Sequence, residues 1–522
     1  MREVILYDTT LRDGTQGEGI VYSLTDKLRI AQKLDDFGIH FIEGGWPGSN
    51  PKDAQFFSQI AKKKLKNSTL VAFGSTRRQQ IKASEDKNLK DIVRSKVSTA
   101  AIFGKTWLFH VREVLKASPE ENLSMIFDSV DFLTKKGIRV FFDCEHFFDG
   151  FRDDPEYSFK CLQAAQQAGA AFIVLCDTNG GTLPDGISAL VNDLKTRVSV
   201  PLGIHCHNDA AVAVASSLAA VQAGCSMVQG TINGYGERCG NADLIPIIAN
   251  LKLKLGIDCV SDKKLASLTE ISRFVSEISN MRHANNQPYA GESAFAHKGG
   301  VHINAVMKAS ASYEHVDPDR VGNRRRVLIS ELGGKSSIMI LAEELNLDLA
   351  KDDPKTKRIH GLMQGLELKG YQFEAAEASF ELILKKALSK VKEYFKLENF
   401  RVVVNKESNK KVTTEAIIKV RVKGKLEHTA ADGDGPVNAL DNALRKALKE
   451  FYPTLSEMRL SDFKVRVLDE KEGTAAKVRV LIQSQDQKDT WNTIGVSGNI
   501  IEASWQALSD SIEYKLLKDS AA

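Results

Sequence analysis

The feature that most constrains this sequence is a regular alternation of short β-branched runs with amphipathic helical stretches, which continues from residue 1 to about residue 256. Short apolar runs followed by helical periodicity predict strand–helix units. Eight such units in about 250 residues match the number and length of a (β/α)8 TIM barrel, an α/β fold. An open, doubly wound sheet is the competing fold for this pattern.

The predicted barrel strands are Val4–Tyr7, Phe41–Glu43, Leu70–Phe73, Thr99–Phe103, Arg139–Phe142, Phe172–Cys176, Leu202–Cys206 and Met227–Gln229. The helical periodicity predicts helices that include Thr25–Phe37, Glu120–Lys136, Pro155–Ala168, Leu183–Arg197 and Ala210–Ala223. Several helices are followed by a glycine, as helix C-termini often are. These glycines are Gly38, Gly137, Gly169 and Gly224.

The second half of the chain has a different organisation, and 522 residues are too many for a single core. We expect a catalytic barrel over residues 1–284, a helical connector over 285–396 and a C-terminal α+β regulatory domain over 397–522. The connector helices are predicted at Lys335–Leu345, Pro354–Glu367 and Phe373–Tyr394. In the last domain, strands followed by a helix recur, which indicates a weak internal repeat. Its predicted elements are the strands Arg401–Val404, Glu415–Val422, Lys464–Leu468 and Lys477–Ser484 and the helices Val437–Phe451 and Ile500–Leu517.

Composition excludes several classes of protein. The net charge is only +4, from 71 basic and 67 acidic residues, so nothing in the overall charge favours nucleic-acid binding. The seven cysteines are odd in number and include no C-x-x-C pair, which argues against a disulfide framework and favours a reducing cytoplasm. We expect no signal peptide ahead of the first strand and no membrane span, because no stretch approaches 18 uncharged apolar residues.

Polar residues at the predicted strand ends form a candidate metal site. Asp13 follows strand 1, and His205 and His207 close strand 7. Residues two apart in a strand point to the same side, here the barrel interior. Because functional residues of TIM barrels lie at the C-terminal ends of the strands, two imidazoles and a carboxylate there suit a divalent metal with open positions for substrate.

Other polar groups follow further strands, and their roles stay open on this pattern. Glu43 follows strand 2, Glu145 follows strand 5, and Asp177 with Thr178 follows strand 6. Any of them can have a functional role or a structural one, in which it only hydrogen-bonds neighbouring loops. For Glu43 these two interpretations are equally supported. Arg12 stays protonated, so it is no general base, but its guanidinium suits a developing enolate or alkoxide oxygen.

Several segments, in the same order along the chain, resemble the 2-isopropylmalate, homocitrate and citramalate synthase family. They are LYDTTLRDGTQG (Leu6–Gly17), GIHCHND (Gly203–Asp209), GYGERCGNADL (Gly234–Leu244) and AHKGGVH (Ala296–His302). The resemblance extends over essentially the whole chain, including a C-terminal domain similar to the feedback-regulatory domain of that family. It implies a metal-dependent TIM-barrel enzyme that transfers the acetyl group of acetyl-CoA to a 2-oxo acid by a Claisen-type condensation.

The resemblance also implies roles for individual residues. Metal ligation falls to Asp13, His205 and His207, with Asn241 at or near the metal. Arg12 contacts the 2-oxo acid and stabilises negative charge, Thr178 hydrogen-bonds its carboxylate, and Glu145 helps to organise the acetyl-CoA side. His302 and Tyr313 match connector residues that reach the active site of a partner subunit, which implies a homodimer. The general base stays open among His302, Glu145 and an activated water.

Two further segments, Gly44–Asp53 and Gly370–Phe380, resemble the citramalate synthase branch of the family, which implies pyruvate as acceptor. The resemblance also implies a branched-chain amino acid as feedback effector, isoleucine if the product is citramalate. Gly44-Gly45-Trp46-Pro47 departs from the Val-Gly-Phe-Pro-like stretch that is frequent in isopropylmalate synthases. Those synthases, homocitrate synthases, an acyl-CoA lyase and a non-catalytic ligand sensor are the alternatives. The sequence does not distinguish Mg, Mn, Zn and Co. The glycine-rich stretches Ala431–Gly435 and Gly495–Gly498 precede helices whose free N–H groups suit an effector carboxylate, or they simply start those helices.

Overall fold

The computed structural model describes residues 3–328, 353–388, 393–468 and 476–521, together with Met339 and Ala342. The chain divides into two compact units. The first runs to Phe295 and includes His315–Arg325, and the second holds Ala296–Glu314 and the described residues from Arg326 onwards. The predicted division at residues 284 and 396 into three domains stays a prediction.

The first unit contains a closed barrel of eight parallel strands in sequence order, which confirms the predicted TIM barrel. Each predicted strand is present, and most extend by one to three residues toward the C-terminal end of the barrel. The strands are β1 (Ile5–Asp8), β2 (Phe41–Gly45), β3 (Thr69–Ser75), β4 (Thr99–Lys105), β5 (Arg139–Glu145), β6 (Phe172–Asp177), β7 (Leu202–Cys206) and β8 (Met227–Gly230).

The barrel helices begin at capping side chains that satisfy free backbone N–H groups. Ser23 and Asp26 form a capping box at the first helix, and Asp86, Ser118 and Asp154 each accept a bond from a first-turn amide. The helices are α1 (Leu24–Phe37), α2 (Pro51–Ile60), α3 (Lys87–Arg94), α4 (Pro119–Lys135), α5 (Phe147–Asp153), α6 (Pro155–Gln167), α7 (Pro184–Leu194), α8 (Ala213–Ala223), α9 (Leu244–Leu253), α10 (Asp262–Leu265) and α11 (Leu268–Ile278).

Two of these helices are shorter than the periodicity predicts by more than one residue. The predicted helix Ala210–Ala223 begins only at Ala213, because Ala211 adopts a left-handed φ of 58° in the turn after β7. The predicted helix Leu183–Arg197 starts at Pro184, which supplies the fixed φ favoured at a first helical position, and ends at Leu194. Both deviations lie at helix ends, where apolar spacing carries least information.

The strands have a period of two that separates two cores. Tyr7, Phe41, Phe141 and Phe172 point into the barrel and pack on one another in its interior. The alternate residues face the helices and build the larger core between barrel and helical layer. Because every second residue of a strand faces inward, polar residues that lie an even number of positions after these aromatic residues point into the mouth of the barrel.

The second unit begins with a short parallel pair, β9 (Ala296–His297) with β10 (Arg326–Val327), and helix α12 (Gly300–Lys308). Helices α13 (Pro354–Leu368) and α14 (Glu377–Ala387) follow. The predicted helix Phe373–Tyr394 thus starts late, because Ala376 leaves helical geometry (φ −150°, ψ 54°). The predicted helix Lys335–Leu345 falls largely outside the described residues.

The last part of the second unit contains the predicted repeat: three antiparallel strands and a helix, twice. The sequence pattern did not predict the third strand of either half of the repeat. The end of each of these strands was predicted as a glycine-rich turn. Ala431–Gly433 lies in a strand, as does Gly495, whose added Cβ would lie 2.0 Å from the Ala503 carbonyl oxygen of the packed helix. The elements are β11 (Phe395–Asn405), β12 (Thr413–Val422), β13 (Lys425–Gly433), α15 (Pro436–Leu448), β14 (Arg459–Val467), β15 (Val478–Gln485), β16 (Thr490–Ser497) and α16 (Ile500–Ala521).

Among the described helices, none combines the length and the apolar character needed to cross a membrane.

Candidate functional site

A polar pocket opens at the C-terminal ends of the barrel strands. Its volume is about 240 Å³, and Arg12, Asp13, Glu145, Thr178, His205 and His207 all line it. The structure therefore brings together most of the residues that the sequence singles out. The other lining residues are Gln16, Trp46, Phe73, Phe103, Asp143, Cys176 and Glu237.

Asp13, His205 and His207 form a compact group on the pocket floor. One potential ligand atom from each residue lies within 4.8 Å of the others, and all three residues are buried. The His205 Nε2 atom is 3.4 Å from Oδ2 of Asp13, and the two imidazole rings have their centroids 5.1 Å apart. The His-x-His spacing thus places both rings inside the barrel, as the sequence predicts.

The protonation states of this group suit a cation. Burial lowers the pKa of His205, and burial with the neighbouring His205 lowers that of His207 to about 3. Burial disfavours the charged form of Asp13, but Arg12 and the two histidines outweigh it and hold its pKa below the ordinary value. Two neutral imidazoles beside one carboxylate are the donor set of many divalent transition-metal sites.

Asn241 lies directly across from His207. The two residues form an isolated antiparallel bridge, with the Asn208 N–H donating to the Gly240 carbonyl and the Ala242 N–H to that of Cys206. The Asn241 side chain interacts with Asp13 and helps to lower its pKa, whereas, within the described residues, the Oδ1 atom of Asn241 and the Nδ1 atom of His207 are buried without a hydrogen-bond partner. Buried polar atoms rarely stay unpaired, so these atoms fit ligation of an ion or a polar ligand.

A glycine makes this loop possible. Gly240 has a φ of 91°, and an added Cβ would lie 2.1 Å from the Gly234 carbonyl oxygen. Only glycine adopts this conformation without strain at so close an approach. Asn241 then donates its backbone N–H to Gly234 across 3.0 Å, which fixes the position of its side chain.

The sequence motifs did not point to two buried residues of this site, Gln229 and Asp143. Gln229 accepts a hydrogen bond from the Nδ1 position of His205 at 3.1 Å and donates from Nε2 to Oδ1 of Asp143 at 3.2 Å. The signal was present, because Gln229 follows the inward Met227 by two residues and Asp143 precedes the inward Glu145 by two. Strand parity therefore assigns both to the barrel interior.

Glu145 and Thr178 lie on the same rim of the pocket. Glu145 ends β5 and forms an ion pair with Lys105, the last residue of β4 and its partner across the two strands. Thr178 follows β6, and its Oγ1 atom accepts a hydrogen bond from the His146 backbone N–H at 2.9 Å. The preceding Asp177 instead accepts bonds from the backbone and side chain of Thr182, which is a structural role.

One wall of the pocket is aromatic and consists of Trp46, Phe73 and Phe103. Phe73 and Phe103 stack with centroids 5.5 Å apart, and Trp46 meets them edge-on at 5.6 and 5.8 Å. The Trp46 indole donates from Nε1 to Oδ1 of Asn88 at 2.6 Å. These contacts hold the three rings in place, and Arg12 lies over the Phe73 ring of this wall.

His302 and Tyr313 belong to the second unit. His302 lies on α12, and its ring stacks on that of Tyr313 with centroids 4.2 Å apart. The two side chains that the resemblance assigns to a partner's active site are thus neighbours. Their participation in catalysis stays a prediction.

Comparison with known proteins places the chain in a family. The HMGL-like family model matches residues 3–275, which contain every barrel residue described above. The chain belongs to the HMGL-like family. The model of the homocitrate synthase post-HMGL domain matches residues 290–364, and that of the LeuA allosteric (dimerisation) domain matches residues 374–516.

Full-length relatives within this family have two names. The (R)-citramalate synthase of Geobacter sulfurreducens is 54% identical to this chain, and that of Aquifex aeolicus is 52% identical; each alignment covers 99% of this chain and 98% of the relative. The 2-isopropylmalate synthase of Methanocaldococcus jannaschii is 31% identical over 99% of this chain and 95% of its own length. This member of the HMGL-like family is thus more similar to those two citramalate synthases than to that isopropylmalate synthase.

Proposed function

We propose that this chain is an (R)-citramalate synthase, which joins acetyl-CoA to pyruvate and hydrolyses the product thioester to release (R)-citramalate and CoA. The observation that carries the proposal is the similarity to relatives of that name, 45–54% identical over nearly their whole length. The grouping of Asp13, His205 and His207 beside Arg12 supports it.

A divalent cation would be held by Asp13, His205 and His207, with Asn241 at or near it. Bound there, it supplies Lewis-acid polarisation of the pyruvate ketone. Arg12 stabilises the negative charge that develops on the former ketone oxygen, since its guanidinium stays protonated and lies beside Asp13. The Thr178 hydroxyl accepts from the His146 amide, which leaves its own hydrogen for the pyruvate carboxylate.

The carbon–carbon bond forms after a base removes a proton from the acetyl methyl group. The resulting enolate carbon attacks C2 of pyruvate, and the ketone oxygen becomes an alkoxide that takes up a proton. Water then cleaves the thioester, and the thiol of CoA leaves. His302, Glu145 and an activated water remain the candidates for the base. The Lys105–Glu145 ion pair favours a binding role for Glu145 on the acetyl-CoA side.

The aromatic wall of Trp46, Phe73 and Phe103 supports a small acceptor. The proposal places the methyl group of pyruvate against these packed rings, where the isopropyl group of 2-oxoisovalerate needs more room. The nearest alternative is 2-isopropylmalate synthase, with 2-oxoisovalerate as acceptor, or homocitrate synthase. Both alternatives share the mechanism and differ in the 2-oxo acid that accepts the acetyl group.

The second unit supports a homodimer and feedback regulation. Its match to a domain described as allosteric and dimerising suggests both properties, and the resemblance of the connector implies that His302 and Tyr313 serve the partner's site. If the product is citramalate, the expected effector is isoleucine. The regulatory domain also argues against an acyl-CoA lyase, since feedback is more useful to a biosynthetic first step.

The test is the release of thiol from acetyl-CoA with pyruvate, 2-oxobutanoate, 2-oxoisovalerate and 2-oxoglutarate, with and without divalent metal. We expect metal-dependent release with pyruvate as the preferred acceptor. The variants His205→Ala and His207→Ala should lose turnover and divalent-metal affinity while the barrel stays folded by circular dichroism. A preference for 2-oxoisovalerate would make the chain an isopropylmalate synthase. Full activity after exhaustive chelation would exclude the metal site.

A further inference from the structure

Gln229 is the direct neighbour of His205 on the next barrel strand. The Cα atoms of the two residues are partners in the β7–β8 pairing, and both side chains point into the barrel. Gln229 is completely buried, and its Oε1 atom is 3.1 Å from Nδ1 of His205. At this distance the buried amide forms a hydrogen bond with the imidazole and so influences the orientation of the ring.

The amide of Gln229 is itself oriented by a second residue. Its Nε2 atom donates to Oδ1 of Asp143 at 3.2 Å, and Asp143 comes from β5 on another side of the barrel. With its N–H group directed at Asp143, the amide presents its oxygen to His205. In this orientation the amide oxygen accepts from His205, so the ring carries its hydrogen on Nδ1.

The two hydrogen bonds of Gln229 determine which ring nitrogen of His205 keeps its lone pair available for a ligand. With the hydrogen on Nδ1, the lone pair lies on Nε2, and that atom is 3.4 Å from Oδ2 of Asp13. Neutral imidazole binds a metal through its lone-pair nitrogen, and the other ring nitrogen commonly donates to an outer partner. The direction of the two hydrogen bonds therefore agrees with the ligand role of His205.

We propose that Gln229 and Asp143 are positioning residues that hold His205 in the tautomer and orientation in which Nε2 binds the divalent cation. The proposal rests on the metal-dependent function proposed above. His207 differs from His205, because its Nδ1 atom is buried without a partner among the described residues. Of the two histidines, His205 has the preorganised ring.

The test measures metal affinity of the full-length protein, by competition of Mn²⁺ or Zn²⁺ with a fluorescent chelator. Gln229→Met keeps the shape and removes both hydrogen bonds, so affinity should fall by about 10- to 100-fold, as for other lost outer partners of metal-binding histidines. Gln229→Glu keeps an acceptor toward His205 and should bind metal at least as tightly as the wild type. Equal losses in these two variants would contradict the proposal.

Asp143 is tested through the orientation of the amide. Asp143→Leu removes the acceptor, so the Gln229 amide is free to turn its N–H group toward His205 and shift the hydrogen to Nε2. Metal affinity should fall, and ¹⁵N-histidine spectra of the metal-free protein should show the other tautomer. Adding Gln229→Glu to Asp143→Leu should restore both readouts, because a carboxylate does not present an amide N–H. Failure of this rescue would also contradict the proposal.

A matched control is Asn122→Leu, which removes a fully buried amide that donates to the Lys105 carbonyl and the Tyr157 hydroxyl. It should lower stability and leave metal affinity unchanged; an equal loss of affinity would make the Gln229 effect nonspecific. Thiol release separates the two proposals. Active, metal-dependent wild type with unaltered affinity in Gln229→Met refutes the positioning role alone. Inactive wild type with the expected affinity losses refutes the synthase function and leaves the positioning role supported.

Discussion

Arg12, which lines the pocket, forms an ion pair with the buried Glu43, with Nε of Arg12 2.5 Å from Oε1 of Glu43. Glu43 has no exposed surface and accepts a second hydrogen bond, from the Tyr7 hydroxyl at 2.6 Å. The guanidinium also lies 3.0 Å from Asp13 through Nη1 and 3.7 Å above the Phe73 ring. Glu43, whose role the sequence left open, is therefore the residue that orients Arg12.

The first prediction concerns this orientation. Arg12→Lys retains the charge but loses the planar fork that reaches Glu43 and Asp13 together, so kcat should fall by about 100-fold or more, the usual cost of losing a preorganised donor. Metal affinity should change much less. Steady-state kinetics and metal titration of the same preparation measure both, and Glu43→Gln, which keeps an acceptor for Nε, should be less impaired. An unchanged kcat in Arg12→Lys would place Arg12 outside the chemistry.

Much of this site was predictable because barrel geometry is simple. Period-two alternation put His205 and His207 on one side of β7, and the rule that functional residues follow strand ends pointed to Asp13, Glu145 and Thr178. The eight strands were predictable for the same reason, since apolar runs and helical periodicity alternate with little interruption.

The residues that escaped prediction act through contacts between strands that are well separated in the sequence. Gln229 and Asp143 carry no metal-site motif, and only the β7–β8 register with the hydrogen bond across the barrel gives them a role. Trp46 was singled out only as part of the Gly44–Asp53 resemblance, although its ring completes a wall with residues of β3 and β4. In the second unit, β13 was missed because its polar and small residues obscure the alternation.

The second prediction concerns the acceptor. Phe103→Ala removes one ring of the aromatic wall and should raise kcat/KM for 2-oxoisovalerate relative to pyruvate by about 10-fold or more, since each methylene in a hydrophobic pocket is worth roughly that factor. A competition assay with both acceptors and product analysis measures the ratio. Phe103→Leu, which retains more volume, is the control and should shift the preference less. An unchanged ratio in Phe103→Ala would exclude this wall as the determinant of acceptor size.

The third prediction tests whether subunits share active sites. If His302 serves the partner, Arg12→Ala and His302→Ala subunits are each inactive alone, but one site of a mixed dimer has both groups intact. Refolding or co-expressing equal amounts should restore about a quarter of wild-type activity, because half of the random dimers are mixed and each has one complete site. Mixing Arg12→Ala with His205→Ala is the control, since both residues belong to the barrel, and should restore nothing. Activity in neither mixture would contradict sharing.

The fourth prediction concerns pH and stability. Burial raises the pKa of Asp8 to about 7, although its oxygens accept bonds from the Thr10 N–H and hydroxyl groups. The pKa of Asp8 is higher in the folded protein than in the unfolded chain. The contribution of Asp8 to the free energy of unfolding is therefore fully present below pH 4 and is lost as the pH rises to about 7. Relative to Asp8→Asn, the wild-type free energy of unfolding should fall by up to roughly 4 kcal/mol across that range. Urea titrations of both proteins between pH 4 and 8 measure it, and a constant difference would contradict the assignment.

The last prediction concerns the effector. Deleting residues after 395 should abolish inhibition by isoleucine, but Ile494 and Val496 pack with Phe373 and Phe380 in one cluster of the second unit, so deletion also exposes that cluster. A substitution in the full-length chain is therefore the sharper test. Gly435 precedes α15, has an extended φ of −168°, and a Cβ there would meet nothing within 4 Å, so a side chain fits without strain.

Gly435→Glu would place a carboxylate beside the helix N-terminus, where the effector carboxylate is predicted to bind, and like charges repel. Inhibition by isoleucine should weaken by about 10-fold or more, while activity without effector stays at the wild-type level, because allosteric coupling can be lost separately from catalysis. Gly435→Gln has nearly the same size and no charge, so it should weaken inhibition much less. Titration of isoleucine, leucine and valine against the three proteins measures the effect. Equal inhibition of all three would move the effector site away from this turn, and a wild type indifferent to all three amino acids would remove the regulatory role itself.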